Sequence, residues 1–331
     1  MKRSFLSLLL VLLMLTGLLA GCGGKEPAST QPPETQPVET TEAPEVTEEP
    51  EVTEEAQGNT PPASTEGNLL FTFFGNLEIG NTANWGDCTL VTMPDGFRVL
   101  IDACEGGYET HIVRQLKEQG VTSIDAAIIT HYHSDHYGGL MTFIEEFGIK
   151  TVYINAIEMD AALAWNTNAG EINSYISKLE GKGLTVIPVL AGYQTQFGEV
   201  TMDVLYPTPT TAAATTNDSS IVFTLEFKGQ KALFTGDLYY AGEDICLKEV
   251  DNALLKCDLM KVMHHGGNTS GGAEIIAAAS PKVAVAMGNH VMTDIGVYRY
   301  TKVGCEVYQT WSCGDVNVML DGAEVTVWTQ Q

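Results

Sequence analysis

His131, His133, Asp135 and His136 place four potential metal ligands within six positions, directly after the apolar run Ala126-Ala127-Ile128-Ile129-Thr130. A short apolar run of this kind predicts a buried strand. The cluster then opens the loop at the strand's carboxyl end, the edge on which open α/β folds assemble their sites. Imidazole and carboxylate donors together suit zinc, manganese or iron. Such a chain needs further strands that deliver the remaining ligands to the same edge.

Three more strand ends offer them. Asp102 follows the apolar stretch 97–101, Thr235-Gly236-Asp237 follows 231–234, and His264-His265-Gly266-Gly267 follows 259–263. Five of the seven histidines lie at these ends. Histidines placed only by core packing would not gather so. His111 and His290 fall elsewhere and read as surface or helix residues. Period-two runs, joined by turns such as Pro94-Asp95-Gly96 and Lys228-Gly229, alternate with helical stretches along 69–327. The order predicts two sheets with helices outside, an αββα sandwich.

The first 67 residues have a different build. Lys2 and Arg3 precede an apolar run over 5–20, the pattern of a secretory signal. Leu19-Ala20-Gly21-Cys22 resembles a bacterial lipobox, which implies cleavage before Cys22 and lipidation of that cysteine. Residues 23–67 hold 11 Glu and one Lys among Pro and Thr, with almost nothing apolar. Such a segment cannot bury enough surface to offset its ordering entropy, so a disordered, extended tether is expected. The domain reading is thus a lipoprotein signal over 1–22, a linker over 23–67 and a folded domain over 68–331. It puts that domain on the outer face of a bacterial cell membrane.

Residues 68–331 carry 31 acidic and 14 basic side chains, a net charge of −17. A strong non-specific grip on nucleic acid needs a basic surface, so that class of partner is not expected. Cys88, Cys104, Cys246, Cys257, Cys305 and Cys313 permit disulfides but form no Cys-x-x-Cys pair, and buried thiols are the other reading.

His131-x-His133-x-Asp135-His136, with Asp102, Asp237 and His265 around it, resembles the signature of the metallo-β-lactamase fold superfamily. The likeness narrows through Trp85-Gly86-Asp87, Asn217-Asp218-Ser219-Ser220 and Lys261-Val262-Met263-His264-His265-Gly266. These resemble, in order and spacing, the extracellular hydrolase domain of ComEC-like competence proteins, a branch that includes phosphorylcholine esterases and nucleases. The resemblance implies two divalent ions, zinc first, with manganese or iron as alternatives. His131 and His133 would hold one; Asp135, His136 and His265 the other; Asp237 would bridge them. His264 would face substrate or support a ligand, the choice between it and His265 staying open, and Asp102 would orient a ligand. Many superfamily members have a further histidine between the cluster and the bridging Asp. No histidine lies between 137 and 263 here, and the Asn217–Ser220 segment occupies that place.

The implied chemistry is hydrolysis of a phosphodiester or phosphate ester by a hydroxide shared between two metals, with Asp135, Asp237 and His264 as the catalytic groups. Asn217, Ser219 and Ser220 could donate hydrogen bonds to a phosphate, or cap their own loop. Lys261 could pair with an anionic substrate, or face solvent from a strand edge. The alternative reading is an accessory lipoprotein that keeps the frame and little or no turnover.

Overall fold

The computed structural model describes residues 60–75, 85–156, 169–288 and 291–331. The signal, Cys22, most of the linker and His290 lie outside the described residues.

Six strands build the first sheet in chain order: β1 (Leu69–Phe73), β2 (Thr89–Thr92), β3 (Arg98–Ile101), β4 (Ala126–Ile128), β5 (Thr151–Asn155) and β6 (Thr185–Val189). Seven build the second: β7 (Gln194–Phe197), β8 (Val200–Tyr206), β9 (Val222–Phe227), β10 (Gln230–Phe234), β11 (Leu259–Lys261), β12 (Val283–Ala286) and β13 (Glu306–Gln309). The chain then returns, and β14 (Val316–Leu320) and β15 (Val325–Thr329) join the first sheet beside β1. Between the strands run α1 (Glu109–Glu118), α2 (Ser134–Tyr137), α3 (Leu140–Phe147), α4 (Ala169–Gly181), α5 (Tyr240–Glu249), α6 (Ala273–Ala279), α7 (Asp294–Thr301) and α8 (Thr310–Cys313). Among the described residues, no helix is long and apolar enough to cross a membrane.

The layers follow from which faces are apolar. In β1, Leu69, Phe71 and Phe73 are fully buried while Leu70 and Thr72 are partly exposed, the period of two that aims one face inward. Phe73 of the first sheet meets Phe234 of the second at 6.2 Å between ring centres, and Phe234 stacks on Phe223 at 5.2 Å. The two inner faces therefore share one core. The outer face of the first sheet packs on α1, α3 and α4 through Ile112, Leu116, Phe143 and Leu179. That of the second packs on α5, α6 and α7 through Cys246, Ile275, Ile276 and Tyr300. The expected αββα sandwich is the observed architecture.

All six cysteines of the described residues are free thiols, five of them buried. Burial pushes Cys246 and Cys305 up to about 12, so they sit in the core as small apolar groups.

Glu243 on α5 is the acid beneath the start of α6. It is 2% exposed and accepts backbone N–H bonds from Gly271 (2.6 Å) and Gly272 (2.8 Å). Burial raises its carboxyl from an ordinary 4.5 to about 7, overcoming the two amides that favour the ionised form. A carboxyl with a raised folded-state pKa contributes stability that is fully present below its unfolded value and lost as pH climbs through the folded one. Glu243→Gln is therefore expected to melt below the wild type near pH 4, and the gap should shrink between about pH 4.5 and 7. A gap independent of pH in thermal scans would contradict this.

Candidate metal centre

Parallel pairing brings the strand ends together. β3 and β4 run parallel with Ile101 opposite Ile128, and β10 and β11 run parallel with Leu233 opposite Met260. Asp102, the His131 loop, Asp237 and the His264-His265 turn thus leave adjacent carboxyl ends on the same edge. The backbone is strained there: Asp102, His264 and His265 have φ of 55°, 43° and 55°. Each left-handed non-glycine residue costs about 1–2 kcal/mol, a strain that tends to collect at functional sites. Gly86 also takes φ +74°, and a Cβ there would lie 1.8 Å from the Asp135 carbonyl oxygen, so only glycine lets this loop close on the cluster.

Three imidazoles are fixed by what their Nδ1 atoms touch. His136 Nδ1 lies 2.8 Å from Asp102 Oδ2, and His265 Nδ1 lies 3.0 Å from Asp87 Oδ1. A carboxylate only accepts, so each Nδ1 carries the proton and donates. Thr130 Oγ1 spends its own proton on Asp102 Oδ2 (2.8 Å), which leaves it to accept from His131 Nδ1 at 3.1 Å. Nε2 of His131, His136 and His265 is thereby turned inward, so that in the neutral rings its lone pair faces the cluster, as metal ligands need.

Those lone pairs converge with carboxylates. His136 Nε2 and His265 Nε2 lie 3.1 and 3.2 Å from Asp237 Oδ2, and His265 Nε2 lies 3.2 Å from Asp135 Oδ2. His131 Nε2 and His133 Nδ1 face each other at 3.1 Å. His133 Nε2 and His265 Nε2 are buried and make no aligned hydrogen bond. His131, His136 and Asp237 form one group with ligand atoms in common reach, and Asp135, His136 and His265 form another. Burial opposes charge on His136 and His265, but Asp237 and the carboxylates around it raise both rings well above ordinary histidine, so the cluster calls for positive charge, which divalent cations would supply in place of the ring protons. The donor set fits two divalent ions.

Charge supports the same fit. Asp87, Asp102 and Asp237 are at most 3% exposed, Asp135 lies beside them, and among the described residues Lys261 is the one buried lysine at the site. Burial opposes ionisation of Asp237, but His136, His265 and Lys261 hold its carboxyl well below the usual range. Burial opposes Asp135 likewise, and His136 and His265 hold it low. Burial drives the His131 ring the other way, well below ordinary histidine, with His136 adding to the effect. His131 is thus a neutral, ligand-ready imidazole.

Other expected site residues stand elsewhere. His264 is at the rim, with Nδ1 2.6 Å from Thr269 Oγ1 and its ring edge-on to Tyr239 at 4.8 Å. Burial lowers it to about 4. The structure brings His265, not His264, into the donor set. Ser219 Oγ donates to the Thr216 carbonyl (2.8 Å) and caps its own turn. Ser220 Oγ accepts from the Asp237 backbone N–H (3.0 Å), so it supports a ligand rather than facing a phosphate. Lys261 neither faces solvent nor awaits an anionic substrate: it is 3% exposed, ion-paired to Asp87 and, at 3.0 Å, to Asp237. Two aspartates 150 residues apart in the chain hold it, which no local pattern in β11 could announce. His111 lies on α1, 3.5 Å from Arg114. Asp87 was not singled out from sequence as a site residue. It precedes its strand instead of ending it, and its signal in the sequence is its place in the Trp85-Gly86-Asp87 motif, which gives it no role of its own.

The comparisons agree with this geometry. The family model described as "Metallo-beta-lactamase superfamily" matches residues 86–290, more than half of the chain. "ComE operon protein 3" of Bacillus subtilis (strain 168) is 27% identical over 177 residues, which are 54% of this chain and 21% of that protein. The chain thus spans about a fifth of the length of this curated relative. Among solved structures, the metallo-beta-lactamase fold protein YhfI from Bacillus subtilis aligns at 12% identity and TM-score 0.47, covering 73% of this chain and 95% of that one. CmlA, a diiron beta-hydroxylase from Streptomyces venezuelae, aligns at 14% and 0.47, covering 74% and 53%. With its ligand-bearing strand ends inside the matched span, this chain belongs to the metallo-beta-lactamase superfamily.

Proposed function

We propose that this chain is a lipid-anchored hydrolase of phosphodiesters or phosphate esters that works with two divalent cations, zinc first among them, on the outer face of a bacterial membrane. The observation that carries the hydrolase reading is the convergence of five imidazole and carboxylate side chains from both halves of the sandwich, with His133 beside them. The likeness to a competence protein favours the phosphoester branch. The lipobox at Cys22 and the Glu-rich linker 23–67 support the tether, and the acidic domain favours a small or single-site phosphoester over a broad grip on DNA.

Bound there, two divalent ions would supply Lewis acidity and water made acidic enough to attack near neutral pH. His131 and His133 would hold one ion, Asp135, His136 and His265 the other, with Asp237 reaching both. The chain's own work is positional. Asp102 and Asp87 fix the His136 and His265 rings through their Nδ1 protons. Ser220 and Lys261 fix the backbone and one oxygen of Asp237, so that Oδ2 alone is turned to the donors. Asp135, the more open of the two donor carboxylates, is placed to orient water and take up its proton.

The test is direct. The purified full chain should hold about two metal ions by elemental analysis and turn over at least one of a panel of aryl phosphodiesters, phosphocholine esters, nucleotides and DNA. His133→Ala should lose that turnover. Two bound ions with turnover of a β-lactam alone would overturn the phosphoester reading. Fewer than one ion and no turnover would favour the accessory lipoprotein instead.

A further inference from the structure

We infer that Asn217 supplies, through its side-chain oxygen, a further protein ligand of the cation held by His131 and His133, beyond the shared Asp237. This rests on the two-cation reading above. Among the described residues, His131 Nε2 and His133 Nδ1 are the two donors assigned to that side alone, and Asp237 is shared with the other cation. Catalytic zinc sites usually keep three protein ligands, so a side that shares one of its three has room for another.

Asn217 opens the short helical turn Asn217–Ser219, and nearly every other polar group of that turn is spent on holding it still. The Ile221 N–H donates to the Thr130 carbonyl (2.9 Å), immediately before His131. Ser220 Oγ receives the Asp237 N–H (3.0 Å). The Asn155 side chain donates to the Ser219 carbonyl, and Tyr206 donates to the Asp218 carbonyl (2.6 Å). Asp218 Oδ1 accepts from the Gly242 N–H (3.0 Å), and its Oδ2 from Thr215 (2.8 Å). The turn is thus pinned to both ligand loops, the one that carries His131 and the one that carries Asp237.

Asn217 itself is 1% exposed, and its Oδ1 is buried with no hydrogen-bond partner. Its side chain lies against His133 and Tyr239. A buried amide oxygen held rigid beside His133 and without a hydrogen-bond partner has the properties of a cation ligand. Leaving such an atom unmatched is costly, and a ligated ion would offset that cost. Amide oxygens are established donors to divalent ions.

The experiment is metal binding to the apo full chain, with Zn2+ and Mn2+ titrated separately by calorimetry, alongside Asn217→Ala, Asn217→Asp and His133→Ala. Wild type is expected to bind two ions. Asn217→Ala should weaken one of the two sites by on the order of 10- to 100-fold and leave the other in place, and His133→Ala should weaken the same one. Asn217→Asp, which keeps an oxygen there, should retain both. Thermal unfolding of the apo proteins separates ligand loss from misfolding, because Asn217→Asp must then melt as a folded chain. If Asn217→Ala binds both ions as wild type does, Asn217 is no ligand, while the two-cation reading stands. If wild type binds fewer than two ions, the two-cation reading falls and this assignment falls with it.

Discussion

Asp237→Asn is expected to cut turnover by on the order of 10³-fold and lower the bound metal from two ions towards one, with the fold intact. Asp237 Oδ2 lies within 3.2 Å of both His136 Nε2 and His265 Nε2, and it shares a donor group with His131. Its other oxygen is already committed to Lys261 at 3.0 Å. Asparagine keeps the size and one oxygen but cannot serve both sides. With its oxygen towards Lys261, the amide N–H₂ points at imidazoles meant to share a cation. With its oxygen towards the donors, the N–H₂ meets the Lys261 ammonium, donor against donor. Several kcal/mol of transition-state stabilisation depend on those ions, and each 1.36 kcal/mol is about tenfold in rate. Asp87→Asn, which removes charge behind His265 rather than a donor, should cost only about 10- to 100-fold. Elemental analysis with steady-state kinetics on whichever phosphoester is turned over checks both. Two bound ions and wild-type turnover in Asp237→Asn would take Asp237 out of the centre.

That ranking was readable in part from the sequence. Polar residues at the ends of apolar runs marked Asp102, the His131 cluster, Asp237 and His265, because parallel strands in register put their carboxyl ends on one edge. The element order was readable for the same reason, since turns such as Pro94-Asp95-Gly96 and the apolar periods are local signals. What depends on distant pairing was not. β14 adds to the first sheet opposite β1, with Val318 against Phe71, a register set by residues some 250 positions apart. The buried state of Lys261, the turning of Ser219 and Ser220 into their own loop, and the support that Asp87 gives His265 are likewise tertiary. A lysine in a three-residue strand reads as exposed until the two carboxylates that neutralise it are known.

Lys261→Met should therefore lower the stability of the apo protein by about 3–5 kcal/mol, the usual result of removing one partner from a buried ion pair. The ammonium is buried against Asp87 Oδ2, Asp237 Oδ1 and the Gly236 carbonyl. Burial opposes its charge, yet Asp237 and Asp87 raise its pKa above that of free lysine, so it stays protonated. Methionine fills the slot but leaves two carboxylates facing each other across it. Cations bound on the far side of Asp237 would offset part of that repulsion, so the loss in melting temperature should be larger in chelator-treated protein than in metal-loaded protein. A lysine kept for an anionic substrate would behave otherwise: Lys261→Met would melt like wild type and raise KM alone. Lys261→Arg should not rescue, since a guanidinium is too large for a cleft shaped around one nitrogen. Partial rescue should come instead from Lys261→Met with Asp87→Asn, which removes one of the two facing charges. The double variant should be more stable than the sum of the single losses by roughly 1–3 kcal/mol of coupling. If the two losses simply add, the charge on Lys261 is not what holds Asp87 and Asp237 in place.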